Sequence, residues 1–139
     1  MKITYMYPKK ENISFTFVAQ KHIEILRKHG FEVEEVPHKA LPNWRMDLLI
    51  MHPIFYTVFL SPKGFRKLVS RADMLLGFEV CDTDRISPMA SFVASTFDKV
   101  IVPCKFCKDV YERSGVVSNI GVVPHGVDER FLREPREPK

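Results

Sequence analysis

The alternation of short apolar runs with helix-spaced apolar stretches constrains this chain more than any other feature. Strands separated by amphipathic segments need crossovers, and crossovers between parallel strands lay helices on the faces of a sheet. Met1 to Tyr7 reads as the first strand. Phe15, Val18, Ala19, His22, Ile25 and Leu26 then recur at helical spacing, and Gly30 stops that helix. Phe31 to Val36 alternates as a second strand, Pro37 to Arg45 is a loop, and Asp47 to Met51 is a third strand. Ser61-Pro62 and Ser87-Pro88 each combine an N-cap serine with proline at the first helical position, so each opens a helix, with Asp73 to Val80 as a fourth strand between them. Lys99 to Val102, a helix from about Lys105 to Ser114 and the run Ile120 to Val123 complete the series, and Gly115 suits the left-handed position that ends a helix. The predicted class is α/β, a Rossmann-like parallel sheet of six strands with helices on both faces.

A chain of 139 residues has room for one such domain and not for two. Its 45% hydrophobic and 27% charged residues exclude disorder, and no apolar run approaches the length of a membrane span. Lys2, Lys9, Lys10 and Glu11 break any signal-peptide pattern, which makes the cytoplasm the expected location. The net charge of +4 favours anionic partners, a peripheral phospholipid contact among them. Nucleic acid is not expected, because Lys63, Arg66, Lys67 and Arg71 fall at helical spacing without an aromatic stacking platform and read as a solvated helix face. Three cysteines are too few for a closed zinc site, so no metal is expected. Cys104 and Cys107 form a CxxC at a helix start, where a redox role is open, but Cys107 also falls with Phe106, Val110 and Tyr111 on an apolar face, which favours a core cysteine.

In open α/β sheets ligands bind outside the carboxyl ends of the strands, and the turns there hold most of the chain's chemistry. Pro8 to Asn12 lacks the Gly-x-Gly pattern that cradles a pyrophosphate, although Lys9 and Lys10 could act as point charges. After the third strand come His52, Phe55 and Tyr56, with His52 either facing a cleft or capping strand ends, and the two aromatic rings offering sugar-stacking surface. After the fourth strand, Glu79, Asp82, Asp84 and Arg85 crowd one exit, where carboxylates can share a proton or bind sugar hydroxyls; Glu79, Asp82 and Arg85 are predicted to reach solvent beside His52. Capping of the next helix by Asp82 or Asp84, paired with Arg85, is the simpler reading of part of this charge. The last turn, Pro124-His125-Gly126-Val127-Asp128, puts a titratable ring and a glycine at a strand end.

From about Asp73 to Asp128 these residues resemble the end of the N-terminal domain of GT-B glycosyltransferases of family 4. The likeness is carried by Asp98 to Pro103, by Val110 and by Ser114 to Asp128, and the segment Gly77 to Pro88 is similar to a Glu-x-x-Asp-Arg-x-Pro segment of one branch of that family. The resemblance implies a retaining transferase with a nucleotide-sugar donor, a sugar or lipid-linked acceptor, and neither cofactor nor metal. It implies catalytic roles for Glu79 and Asp82, acceptor contacts from His52, Tyr56, Asp84 and Arg85, and donor-side or hinge positions for Lys9, His125, Gly126 and Asp128. Glu79 or Cys81 stands where several relatives have a functional histidine. It further implies an acceptor-side domain over residues 1–128 and a linker over 129–139 toward a separate donor-binding domain, so that this chain alone would not turn over. The readings from other classes are a stand-alone Rossmann-like module that binds a nucleotide or a protein, and a redox protein built on Cys104 and Cys107.

Overall fold

The computed structural model describes residues 1–126. Its strands, β1 (Lys2–Tyr7), β2 (Glu32–Pro37), β3 (Met46–Met51), β4 (Ala72–Phe78), β5 (Lys99–Val102) and β6 (Asn119–Val122), form one sheet in the order β2-β1-β3-β4-β5-β6. Every neighbouring pair is parallel. The chain therefore steps one way from β1 to β2 and the other way from β3 onward, and crossovers of one handedness must then carry their helices to opposite faces. Helix α1 (Ser14–Lys28) covers one face through Ala19 and Ile23, which pack with Ile3, Tyr5, Val33 and Ile50. Helices α2 (Pro62–Val69), α3 (Pro88–Ala94) and α4 (Lys105–Arg113) cover the other, where Leu68, Ala94, Cys107 and Tyr111 meet Leu49, Met51, Leu75 and Val100. The prediction of a parallel sheet with helices on both faces holds.

Local signals set the element ends. The Ser61 hydroxyl accepts the Gly64 N–H at 3.0 Å and the Ser87 hydroxyl accepts the Ala90 N–H at 3.1 Å, so both Ser-Pro pairs cap their helices. Gly30 (φ +84°) and Gly115 (φ +83°) take the left-handed conformation just past α1 and α4, where a Cβ would be strained. Between β2 and β3 no helix intervenes. Residues 38–45 make that crossing as a loop, with Ala40 and Trp44 packed on the larger core; at about 3.4 Å per residue such a stretch can return along a strand and step past β1.

Three details differ from the sequence reading. Residues Ile54–Phe59 form a 3-10 helix, an element not expected after the third strand. Strand β4 ends at Phe78, short of the expected end at Val80, and Glu79 closes the ladder with its N–H donating to the Ile101 carbonyl at 3.0 Å. On α4, Cys107, Val110 and Tyr111 face the core, but Phe106 is half exposed, because the residue next to an inward one lies about 100° round the helix. Among the described residues no helix is long and apolar enough to cross a membrane.

Candidate functional site

Histidine and aromatic rings gather where α1 meets the ends of β1, β3 and β4. The Tyr5 hydroxyl lies 2.8 Å from His22 Nδ1 and 3.3 Å from His52 Nδ1, so the proton on this oxygen links the tautomers of both rings. Phe78 stacks on His52 with centroids 5.6 Å apart and planes 16° apart, and packs against His22 at 4.6 Å. Phe15 closes the cluster edge-on, 5.6 Å from His52 and 6.0 Å from Tyr56. Burial, reinforced by the neighbouring His22 and His125, pulls His52 down to about 3. Burial and then His125 likewise lower His22. At neutral pH both rings are uncharged acceptors and donors, not cations.

Beside this cluster a cavity of about 200 Å³ opens at the carboxyl edge, with His22, His52 and Phe78 toward α1, and Ile101, Val123 and His125 toward β6. Its position follows from topology. Over β1, β2 and β3 this sheet face lies under α1, whereas over β5 and β6 it carries no helix among the described residues, so the strand ends stay open to a ligand. His125 and Gly126 line the rim, and His125 is exposed.

Glu79 also borders the cavity but does not reach solvent, being only 5% exposed. Its Oε2 accepts the Phe55 N–H at 3.0 Å and its Oε1 accepts the Val80 N–H at 3.0 Å. Phe55 lies in the first turn of the 3-10 segment, so the carboxylate caps that turn. Burial pushes Glu79 up to about 7 against the pull of the amides of Phe55, Val80 and Ile54, which favour the ionised form. The expectation that Glu79 stands in solvent beside His52 is thus corrected: with β4 ending at Phe78, the side chain is drawn to free backbone amides.

The remaining predicted residues divide. Asp82, Asp84 and Arg85 are exposed, as expected, but do not line the cavity. Arg85 borders a second, more open depression with Phe92 and Arg113. Within the exit Thr83 Oγ1 donates to the Arg85 carbonyl at 2.8 Å and Arg113 donates to the Asp84 carbonyl at 3.3 Å, which orders the turn without bringing its carboxylates to His52. Tyr56 packs on the His38 ring at 5.0 Å, behind Phe15. Lys9 lies 3.9 Å from Glu35, which also receives Arg27 at 3.0 Å and the Tyr7 hydroxyl at 2.5 Å; this polar cluster stands over β1 and β2, apart from the cavity. Asp128 and the linker over 129–139 lie outside the described residues. His22 and Tyr5 are the site residues that sequence reasoning missed: His22 sat in the apolar stripe of α1 and Tyr5 in an apolar strand, and the one signal was a histidine among otherwise apolar helical positions.

With the geometry established, comparison with known proteins adds one relative. The chain is 31% identical over 144 residues to uncharacterized protein 356 of Sulfolobus islandicus rod-shaped virus 1. The match takes in 99% of this chain and 40% of that protein, so the chain spans less than half the length of its curated relative. No family model matches the chain. No solved structure matches it either.

Proposed function

We propose that this chain is the acceptor-side half of a retaining GT-B glycosyltransferase of family 4, which moves a sugar from a nucleotide-sugar donor to a sugar or lipid-linked acceptor. The observation that carries the reading is the cavity at the carboxyl edge between His52 and His125. At about 200 Å³ it falls below the roughly 300–1,000 Å³ of pockets that enclose a ligand whole, which supports a half-site whose opposite wall comes from a donor-binding domain. Its chemistry suits a sugar: flat rings for C–H faces and neutral imidazoles that donate or accept hydrogen bonds to hydroxyls. Tyr5 occupies Nδ1 of His52, which leaves Nε2 to a ligand. In this reading Glu79 positions the 3-10 turn and the exit from β4, while Asp82, Asp84, Arg85 and Tyr56 give outer acceptor contacts. His125 and Gly126 lead toward the hinge, to which the resemblance also assigns Asp128, and Lys9 is the donor-side cation that the resemblance implies, although here it faces Glu35. Cofactor and metal are not required, since basic side chains and helix N-termini can offset the leaving group's charge. The match takes in 40% of the viral relative, which leaves that protein room for a second domain.

The rival reading is a stand-alone module that binds a nucleotide or a protein, favoured by a sheet that carries a core of its own on each face. Protein-observed NMR titration of the chain separates them. Oligosaccharide acceptors should bind in the millimolar range and shift the imidazole C–H signals of His52 and His125, with His52→Ala weakening them several-fold, and nucleotide sugars should bind no better. Micromolar nucleotide binding by this chain, or no sugar response at any concentration, would overturn the half-enzyme reading.

A further inference from the structure

The fold brings all three cysteines to one place, although Cys81 follows β4 and the other two open α4. Cys104 Sγ and Cys107 Sγ are 3.5 Å apart, and Cys107 Sγ–H donates to the Cys81 carbonyl at 3.4 Å. Cys104 is exposed at the helix N-cap, Cys107 is buried one turn along, and Cys81 is half-buried between them and Asp82. An exposed thiol at a helix start, with a second thiol in contact behind it, is the arrangement that thiol–disulfide exchange needs. We propose that Cys104 and Cys107 form a reversible intramolecular disulfide, with Cys104 as the entry thiol and Cys81 outside the couple.

The electrostatics divide the three roles in the same way. The backbone N–H of Cys107, ahead of the contact with its thiol, draws Cys104 below the ordinary thiol range, although no side-chain cap hydrogen bond is completed. Burial, then the Cys107 thiol, pushes Cys81 up to about 12, which keeps it protonated and unreactive. The step uses a low-molecular-weight disulfide such as oxidised glutathione. The Cys104 thiolate attacks one of its sulfurs, forming a Cys104–glutathione bond and expelling a glutathione thiolate that takes up a proton. Cys107, losing its own proton, then attacks Cys104 Sγ, breaks the mixed disulfide and releases the second glutathione. Two protein thiols are oxidised and one disulfide is reduced to two thiols. Oxidation also removes the Cys107 S–H that donates to the Cys81 carbonyl, two residues beyond Glu79, so the redox state reaches the exit from β4 that borders the cavity.

The test equilibrates the full chain at graded ratios of oxidised to reduced glutathione, quenches in acid, blocks free thiols with N-ethylmaleimide and digests with trypsin. Lys99, Lys105 and Lys108 are cleavage sites, so a Cys104–Cys107 bond joins two separate peptides, while Cys81 sits in a third that ends at Arg85. The expected result is a linked 100–105 and 106–108 pair that appears as the ratio rises, with Cys81 alkylated throughout. Under limiting alkylating agent at pH 7, Cys104 should react at least about tenfold faster than Cys81, as a difference in thiolate fraction requires. Cys107→Ser should accumulate glutathione on Cys104, and Cys81→Ser should leave the linked pair unchanged. Three alkylated thiols at every ratio, a Cys81–Cys107 link, or a stable glutathione adduct on Cys104 in the unaltered chain would overturn the proposal. None of these outcomes depends on a variant folding.

Discussion

Glu79 and His52 are both buried at the cavity, and the same desolvation gives them opposite pH signatures. Glu79 rises from 4.5 to about 7, so the folded state holds a proton that the unfolded state has released. Its contribution to stability is present below pH 4.5 and is lost as pH rises through 7. His52 falls from 6.5 to about 3, so its contribution is present above 6.5 and is lost as pH falls toward 3. The two oppose each other between 4.5 and 6.5, and each stands alone outside that range. We therefore expect Glu79→Gln to abolish a stability loss between pH 6.5 and 8, out of a total on the order of a few kcal/mol, read from urea midpoints along a pH series. A wild-type slope that survives in Glu79→Gln would show that another group titrates there. His52→Phe keeps a ring against Phe78 and removes the titration, so the difference between it and wild type should grow in its favour as pH falls from 6.5 toward 3.

At the level of elements, the contact between β4 and the 3-10 turn decides where the site sits. Gly77 lies in β4 directly against that turn; a Cβ there would collide with the Ile54 side chain and press on Phe97 Cδ1 at 3.2 Å. Gly77→Ala should destabilise by about 1–3 kcal/mol through overpacking, with the turn displaced and the amides of Ile54 and Phe55 moved away from Glu79. Gly126 has nothing within 4 Å of its would-be Cβ, so Gly126→Ala should leave the melting temperature unchanged although both glycines belong to strand exits or their supports. Ser61→Ala removes the acceptor of the Gly64 N–H and should cost about 1 kcal/mol. Thermal denaturation of the three variants side by side checks the ranking; an equal loss at Gly77 and Gly126 would mean the turn yields freely.

For the whole molecule, the sheet has a core on each face, whereas over β5 and β6 one face carries no helix among the described residues and the cavity opens there. Under the function proposed above, the chain should melt cooperatively on its own core yet fail to transfer sugar from any nucleotide-sugar donor. Supplying a donor-binding domain, fused or in trans, should restore multiple turnover, because catalysis in a two-domain transferase requires closure around the donor. Sustained transfer by this chain alone, followed with radiolabelled donors, would be incompatible with that picture.

Local and periodic signals made the elements legible in the amino-acid sequence by itself: the Ser-Pro caps, the glycines after α1 and α4, the apolar stripe of α1 and the strand-sized runs. Each of these depends on residues a few positions apart, and so does the parallel topology that their alternation requires. The sequence also marked His52, Glu79 and His125 as strand-end residues, since a strand followed by a turn implies an edge. It could not say which way a side chain at such an edge turns. Glu79 is buried because free amides of the 3-10 turn, 24 residues away, compete for it more effectively than water does. His22 joins His52 because α1 crosses the end of β3, and Cys81 meets Cys104 and Cys107 because β4 and β5 are neighbours in the sheet. Those juxtapositions span tens of residues and arise only when the strands assemble, which is why tertiary structure alone decided what the site contains.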